Sequence, residues 1–308
     1  MTDKVAVVAH GGRLGHARTA LVADAKRAFG SRLLWVEFTE GAGTAGALAT
    51  RAIRDGAGAV IAAGGDGTVH EVLQPLKGTG IALGVVPGGS GNDFAFHLGI
   101  RGDAGPLLRR LAAGRIESVD RLDVNGLVVA TAACWGVSAG VGEDATKLRN
   151  KVTNWGKMPR LVKGAVYQVT AAARLLRNVD GIFTMTVAAD GRSDRYRAWS
   201  AAVGDSRRIG GAFLAFPDAT KHDGLANLLV AEKGPWKERM WTAALLGPGL
   251  HQARPGVHTA RFASAVIEMD RPMTCVADGE ILPLQARYEV TVVAGGLPLL
   301  LPEPVAPR

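Results

Sequence analysis

Cysteine is nearly missing from this chain of 308 residues: Cys134 and Cys275 are the only two. Two thiols in a chain this long cannot build a disulfide framework. Both therefore read as reduced, buried residues of a cytosolic protein, with no metal role. Long apolar runs are missing too. The stretch VTVVAGGLPLLLP near the C-terminus is apolar for about a dozen residues and contains Pro298, whereas a bilayer-spanning helix needs about 20. The opening MTDKVAVVAH has too short an apolar run for a signal peptide. Repeats, low-complexity tracts and long linkers are absent. The histidines at 10, 16, 70, 97, 222, 251 and 258 show no ligand spacing. No recognition module for nucleic acid accompanies the charge, which argues against such a partner.

What is present is a globular composition, 47% apolar and 21% charged, in a chain long enough for two domains. The formal charge of +8 suits an anionic partner, whether nucleotide, nucleic acid or acidic membrane surface.

The first 120 residues alternate in character. Apolar, β-branched stretches at 5–9, 33–38, 59–63 and 81–86 predict strands, and helical spacing at 19–29, 44–54 and 69–76 predicts helices. Strands that alternate with helices and are apolar along their length imply a parallel sheet covered on both faces. Ligands of such sheets sit at the carboxyl ends of the strands. From about residue 121 the pattern changes to strand-like stretches such as DVNGLVVATAACW, GIFTMTVAAD, YRAWSAAVG and YEVTVV, several joined by Asn-Gly or Asp-Gly turns. That predicts a mainly antiparallel second domain, sandwich or barrel-like, interrupted by a helical insert at roughly 155–178.

Two loops stand out at the expected strand ends. GGDGTVHEV (64–72) follows one apolar run and PGGSGND (87–93) follows the next. Glycines let the backbone approach an anion, and amides at a helix N-terminus point toward it. Asp66 would repel phosphate unless a cation lay between them, so its presence implies Mg²⁺. The plainer alternative for either loop is a glycine-rich turn with a helix cap.

GGDGTVHEV followed by PGGSGNDFA resembles the diacylglycerol kinase catalytic-domain family, which includes sphingosine and ceramide kinases and bacterial lipid kinases. GGAFLAFPDATKHDGLANLLV (210–230) and VADGEILPL (276–284) are similar to later segments of that family, and VDRLDVNG (119–126) and AGVGEDA (139–145) match weaker ones. The resemblance implies an α/β fold: a Rossmann-like parallel-sheet nucleotide domain over 1–125, with 293–308 packing back on it, and a β-sandwich lipid-substrate domain over 126–292. It implies an ATP- and Mg-dependent lipid kinase acting on diacylglycerol or a similar lipid alcohol. Gly64, Gly65, Asp66, Gly67 and Thr68 would hold nucleotide phosphate and its Mg²⁺, with Gly89, Ser90, Asn92 and Asp93 on the opposite wall and Asp120 in support. Asp278 would be the catalytic base in a cleft between the domains, with Glu280 beside it. A second, structural Mg²⁺ would sit at Thr220, Asp223 and Leu225. The chain departs from the family at its first loop, AHGGRLGHA (9–17), which lacks the usual asparagine, proline and serine, and at Ser90, where threonine is usual.

A lipid kinase must touch a bilayer. Residues 146–163, TKLRNKVTNWGKMPRLVK, hold six Lys or Arg, no Asp or Glu, and Trp155. They are the expected contact with an anionic membrane, near Arg207 and Arg208, for a protein peripheral to the cytoplasmic face of the inner membrane. Two other readings stay open: a soluble-substrate kinase of the NAD kinase type, and an inactive nucleotide-binding regulatory protein. So does a homodimer.

Overall fold

The computed structural model describes residues 3–14, 17–89, 91–151, 169–170, 173–174, 181–211 and 213–304. They form a mixed α/β fold with a large antiparallel second part. The chain divides into two compact units: Met1–Arg121 with Ala294–Arg308, and Leu122–Val293.

In the first unit, β1 (Val5–Ala9), β2 (Leu33–Phe38), β3 (Ala59–Gly64) and β4 (Ala82–Pro87) lie in the order β2-β1-β3-β4, and all three pairings are parallel. The central strands β1 and β3 are buried from end to end, which is why their residues are apolar without alternation. The helices are α1 (Gly11–Leu14), α2 (Arg18–Phe29), α3 (Thr44–Arg54), α4 (Asp66–Leu76), α5 (Asp93–His97) and α6 (Ala104–Ala112). Neither α5 nor α6 is predicted by the sequence analysis. The signal for α6 was there: Leu107, Leu108 and Leu111 have helical spacing and are buried. The N-cap of α3 is Gly43, which has no side chain to offer. Glu71 of α4 replaces it, its two carboxylate oxygens accepting from the amides of Gly43 at 2.9 Å and Ala45 at 3.0 Å.

Among the described residues, nine strands supply the second unit's sheet: β5 (Arg115–Val124), β6 (Leu127–Val129), β7 (Ala132–Gly136), β8 (Phe183–Ala189), β9 (Arg192–Gly204), β10 (Ala226–Glu232), β11 (Val257–Phe262), β12 (Ser264–Ala277) and β13 (Glu280–Leu301). Of these, β5 and β13 also run into the first unit. The pairings within the second unit are antiparallel. Strands β9 and β12 are long enough to serve two neighbours in turn. Each pairs with β8 over one half and β7 over the other, which closes β7, β9, β8 and β12 into a ring. Trp135, Phe183, Phe262 and Tyr288 fill its core, with Trp135 edge-on to Tyr288 at 5.0 Å. Three hairpins turn on Asn125-Gly126, Asp190-Gly191 and Asp278-Gly279, all six residues at positive φ, as two-residue turns of this hand require.

Helical structure in this unit begins earlier than predicted, with α7 (Val137–Lys151) directly after β7. Of the insert predicted at 155–178, only residues 169–170 and 173–174 are described, and those are helical. The helix Trp236–Leu245 was not predicted. Its large apolar residues are not buried together: Met240 packs inward while Trp236 and Trp241 are exposed. No helix among the described residues is long and apolar enough to cross a membrane.

Candidate functional site

The site of the first unit is built where β3 and β4 end side by side, with Gly64 paired to Pro87. Helix α4 begins at Asp66, three residues before the periodicity suggests, so GGDGT is less a loop than a strand end, a cap and a first helical turn. Gly65 is the N-cap, and Asp66, Gly67 and Thr68 form the first turn, where backbone amides have no acceptor within the helix. Thr68 is buried, its side chain folded against Gly64, so the hydroxyl packs the turn while only the backbone faces outward chemistry.

The second glycine loop lies directly on the first. The Gly88 amide donates to the Gly64 carbonyl at 2.7 Å. A Cβ on Gly89 would lie 2.5 Å from the Gly65 Cα, closer than any two carbons pack. Asn92, at φ 51, folds its side chain back over this loop, accepting from the Gly89 amide at 2.8 Å and donating to the Gly89 carbonyl at 2.9 Å. Asp66 crosses from one loop to the other, accepting from the Phe94 amide at 3.3 Å at the start of α5. Asp93, the first residue of α5, is buried, and Ser90 lies outside the described residues. The structure thus brings Gly64, Gly65, Asp66, Gly67, Gly89, Asn92 and Asp93 into one backbone-lined floor. Its half-buried Asp66 carboxylate is the hard oxygen donor that Mg²⁺ favours. Asp120 is buried and accepts from the Gly295 amide at 3.0 Å, which ties β5 to the last strand.

The second unit holds a different arrangement around Asp278. This residue combines a hairpin turn with a carboxylate fixed by hydrogen bonds. At φ 53 it turns the chain, and its side chain reaches back to the bend between β6 and β7. Its Oδ2 accepts from the Ala130 amide at 2.7 Å, and its Oδ1 accepts from the Thr131 amide at 2.8 Å and the Thr131 hydroxyl at 2.7 Å. Glu280 opens the next strand and is exposed.

Below this bend lies a pair that the sequence analysis missed. Lys221 and Asp205 are both buried, with Nζ 2.7 Å from Oδ1, an ion pair without hydrogen-bond alignment. Burial pushes the Asp205 carboxyl up to about 6 despite the opposing pull of Lys221, with the Asp278 charge adding a little. Cys134 is pushed up to about 12 by burial and by Asp278. Lys221 lies inside DATKHDG, between Thr220 and Asp223, the two residues of that stretch assigned to a structural Mg²⁺.

Asp223 accepts from the Leu225 amide at 3.0 Å and pairs with Arg261, so a cation there would have to displace the guanidinium. Among the described residues no three His, Cys, Asp or Glu side chains cluster to hold a metal ion. Arg207 donates to the Pro217 carbonyl at 2.7 Å, fixing a loop. Of the basic segment 146–163, residues 152–163 lie outside the described residues, and Lys147 pairs with Glu143 at 2.6 Å.

Comparison with known proteins agrees with these features. Residues 5–124 match the model of the diacylglycerol kinase catalytic domain, and residues 136–300 that of the YegS C-terminal NAD kinase beta sandwich-like domain. A Mycobacterium tuberculosis protein named "Diacylglycerol kinase" is 30% identical over 270 residues, 83% of this chain and 80% of that one. A Pseudomonas aeruginosa protein named "Probable lipid kinase YegS-like" is 28% identical over 313 residues, 97% and 95% of the two chains. The crystal structure of a diacylglycerol kinase from Bacillus anthracis has the same fold, with a TM-score of 0.73 at 18% identity over 97% of both chains. With both family models in register and a relative at this identity over most of its length, the chain belongs to the bacterial diacylglycerol and YegS-like lipid kinase family.

Proposed function

We propose that this chain transfers the γ-phosphoryl group of ATP to the hydroxyl of diacylglycerol or a similar lipid alcohol. The observation that supports this most is the Asp278 carboxylate, turned out of a hairpin and held by three donors at 2.7–2.8 Å. Phosphoryl transfer asks for alignment and charge neutralisation more than for covalent chemistry. An oriented carboxylate serves the one proton movement that remains.

The first unit, on this reading, is a Rossmann-like nucleotide domain. The amides of Gly65, Gly67, Thr68 and Gly89 take the phosphates, with Asn92 keeping the second loop in place. Mg²⁺, held by Asp66 when bound, would neutralise phosphate charge. The lipid oxygen bonds to the γ-phosphorus as the bond from that phosphorus to the β,γ-bridging oxygen breaks. ADP leaves, and the hydroxyl proton passes to Asp278. Glu280, two residues further on and exposed, is the second carboxylate of this reading. Residues 146–163 meet an anionic membrane at the cytoplasmic face, where the lipid resides.

The test is transfer of labelled γ-phosphate from ATP with Mg²⁺ to diacylglycerol, sphingosine, other lipid alcohols and NAD in mixed micelles. Transfer to a lipid, abolished in Asp66→Ala and cut by orders of magnitude in Asp278→Asn, is the expected result. Transfer to NAD alone, or to nothing, overturns the reading. For the membrane contact, Lys151, Lys157 and Lys163 changed together to Glu should lose sedimentation with anionic vesicles.

A further inference from the structure

The bend at Ala130–Thr131 is gripped from two sides. On one side are the three hydrogen bonds to Asp278 already described, and a fourth in which the Asp278 amide donates to the Ala132 carbonyl at 3.1 Å. On the other side, Lys221 Nζ donates to the Ala130 carbonyl at 3.3 Å and the Asp205 amide donates to the Thr131 carbonyl at 3.3 Å. The peptide unit between Ala130 and Thr131 therefore gives its amide to the carboxylate while Lys221 holds its carbonyl, and the backbone amide of Asp205, whose side chain pairs with Lys221, holds the carbonyl of the next unit. Packing leaves the bend no slack: a Cβ on Gly204, next to Asp205, would lie 2.6 Å from the Thr131 carbonyl oxygen. Ala130, Thr131, Asp205 and Lys221 are all nearly inaccessible to solvent.

A buried ion pair is weak evidence for stability, since well-packed apolar residues often do as well. Its retention here calls for a different use, and the hydrogen bonds indicate one. We propose that Lys221 and Asp205 are positioning residues for Asp278. Through the Ala130–Thr131 bend they set the direction in which its carboxylate points. Both members of the pair are buried and offer almost no surface to a ligand. Its effect on the reaction, which rests on the functional reading above, is to keep the proton acceptor within reach of the attacking hydroxyl. Misplacement of a reacting group by about 1 Å can cost about 100-fold in rate.

The experiment compares wild type with Asp205→Leu/Lys221→Met, which removes both charges together and leaves neither stranded, and with Thr131→Val and Thr131→Ser. Steady-state transfer is read alongside the titration of the Asp278 carboxyl, followed by NMR in carboxyl-labelled protein and assigned with Asp278→Asn. Expected is a fall in kcat of about 10- to 100-fold in the double variant, with KM for ATP unchanged. The Asp278 titration moves to higher pH as its donors loosen. Thr131→Val shows the same signature more weakly and Thr131→Ser restores it. An unaltered Asp278 titration in both the double variant and Thr131→Val overturns the proposal, even if kcat falls, because the residues would then be merely structural. Wild type that phosphorylates no lipid overturns the functional reading instead, and the titration still decides the positioning role.

Discussion

Replacing Gly89 by alanine, with Gly88→Ala as its neighbour control, tests whether the two glycine loops rest backbone on backbone. The added methyl at Gly89 would lie 2.5 Å from the Gly65 Cα and 2.8 Å from the Asn92 side-chain oxygen. Ordinary carbon contacts begin near 3.5 Å, so the loops must part by about 1 Å. Overpacking of this kind costs about 1–3 kcal/mol. A parting of that size stretches the 2.7 Å bond from the Gly88 amide to the Gly64 carbonyl beyond useful length, for about 1 kcal/mol more. At Gly88 the same methyl meets the Gly64 Cα at 3.4 Å and the Leu14 methyls at 3.5 Å, ordinary contacts that cost under about 1 kcal/mol. Urea denaturation should lower the midpoint for Gly89→Ala by about 0.7 M or more, given slopes of about 1–3 kcal/mol per molar, and barely move it for Gly88→Ala. Calorimetry should show ATP binding weakened by an order of magnitude in the first variant only. Equal stability and equal ATP affinity for the two would refute the close approach, and with it the phosphate floor.

Other outcomes follow from the remaining contacts. Glu71→Ala should lower stability by about 1–2 kcal/mol in thermal or urea unfolding, because both carboxylate oxygens cap α3. A thiol reagent at pH 8 should label neither cysteine in the native protein and both after denaturation. Cys134 is pushed up to about 12, and burial raises Cys275 as well. Asp205 gives a pH signature. Its folded value of about 6 lies above the ordinary carboxylate value of about 3.8, so the native state binds the extra proton and stability falls as pH rises from about 4 to 6. At about 1.4 kcal/mol per pH unit the contribution is roughly 3 kcal/mol. Asp205→Asn should flatten that part of the stability profile, and an unchanged slope would show that the carboxyl does not titrate there.

The four strands of the first unit and its helices α2, α3 and α4 were legible because a buried parallel sheet writes itself as unbroken apolar runs, 5–9 and 59–63 among them, and those helices as spaced ones. The glycine loops were legible for the same local reason: close backbone approach excludes every other residue type. Boundaries were less so. Helix α4 takes in Asp66, Gly67 and Thr68 although glycine is a poor helix former: the Val69 amide donates to the Gly65 carbonyl at 3.1 Å, and Thr68 packs where a Cβ on residue 64 would lie. The weakly patterned helix Trp236–Leu245 left no usable period.

By itself, then, the sequence determined the order of the first four strands, the change from parallel to antiparallel architecture and the two glycine-loop candidates, and it singled out Asp278. Tertiary structure alone decided what those residues touch. Lys221 and Asp205 lie 16 residues apart, and Asp278 is 147 residues from the Thr131 that holds it. No local spacing encodes such a meeting. It arises because β7, β9 and β12 pair side by side and bring three distant strand ends to one place, where burial gives each hydrogen bond its force.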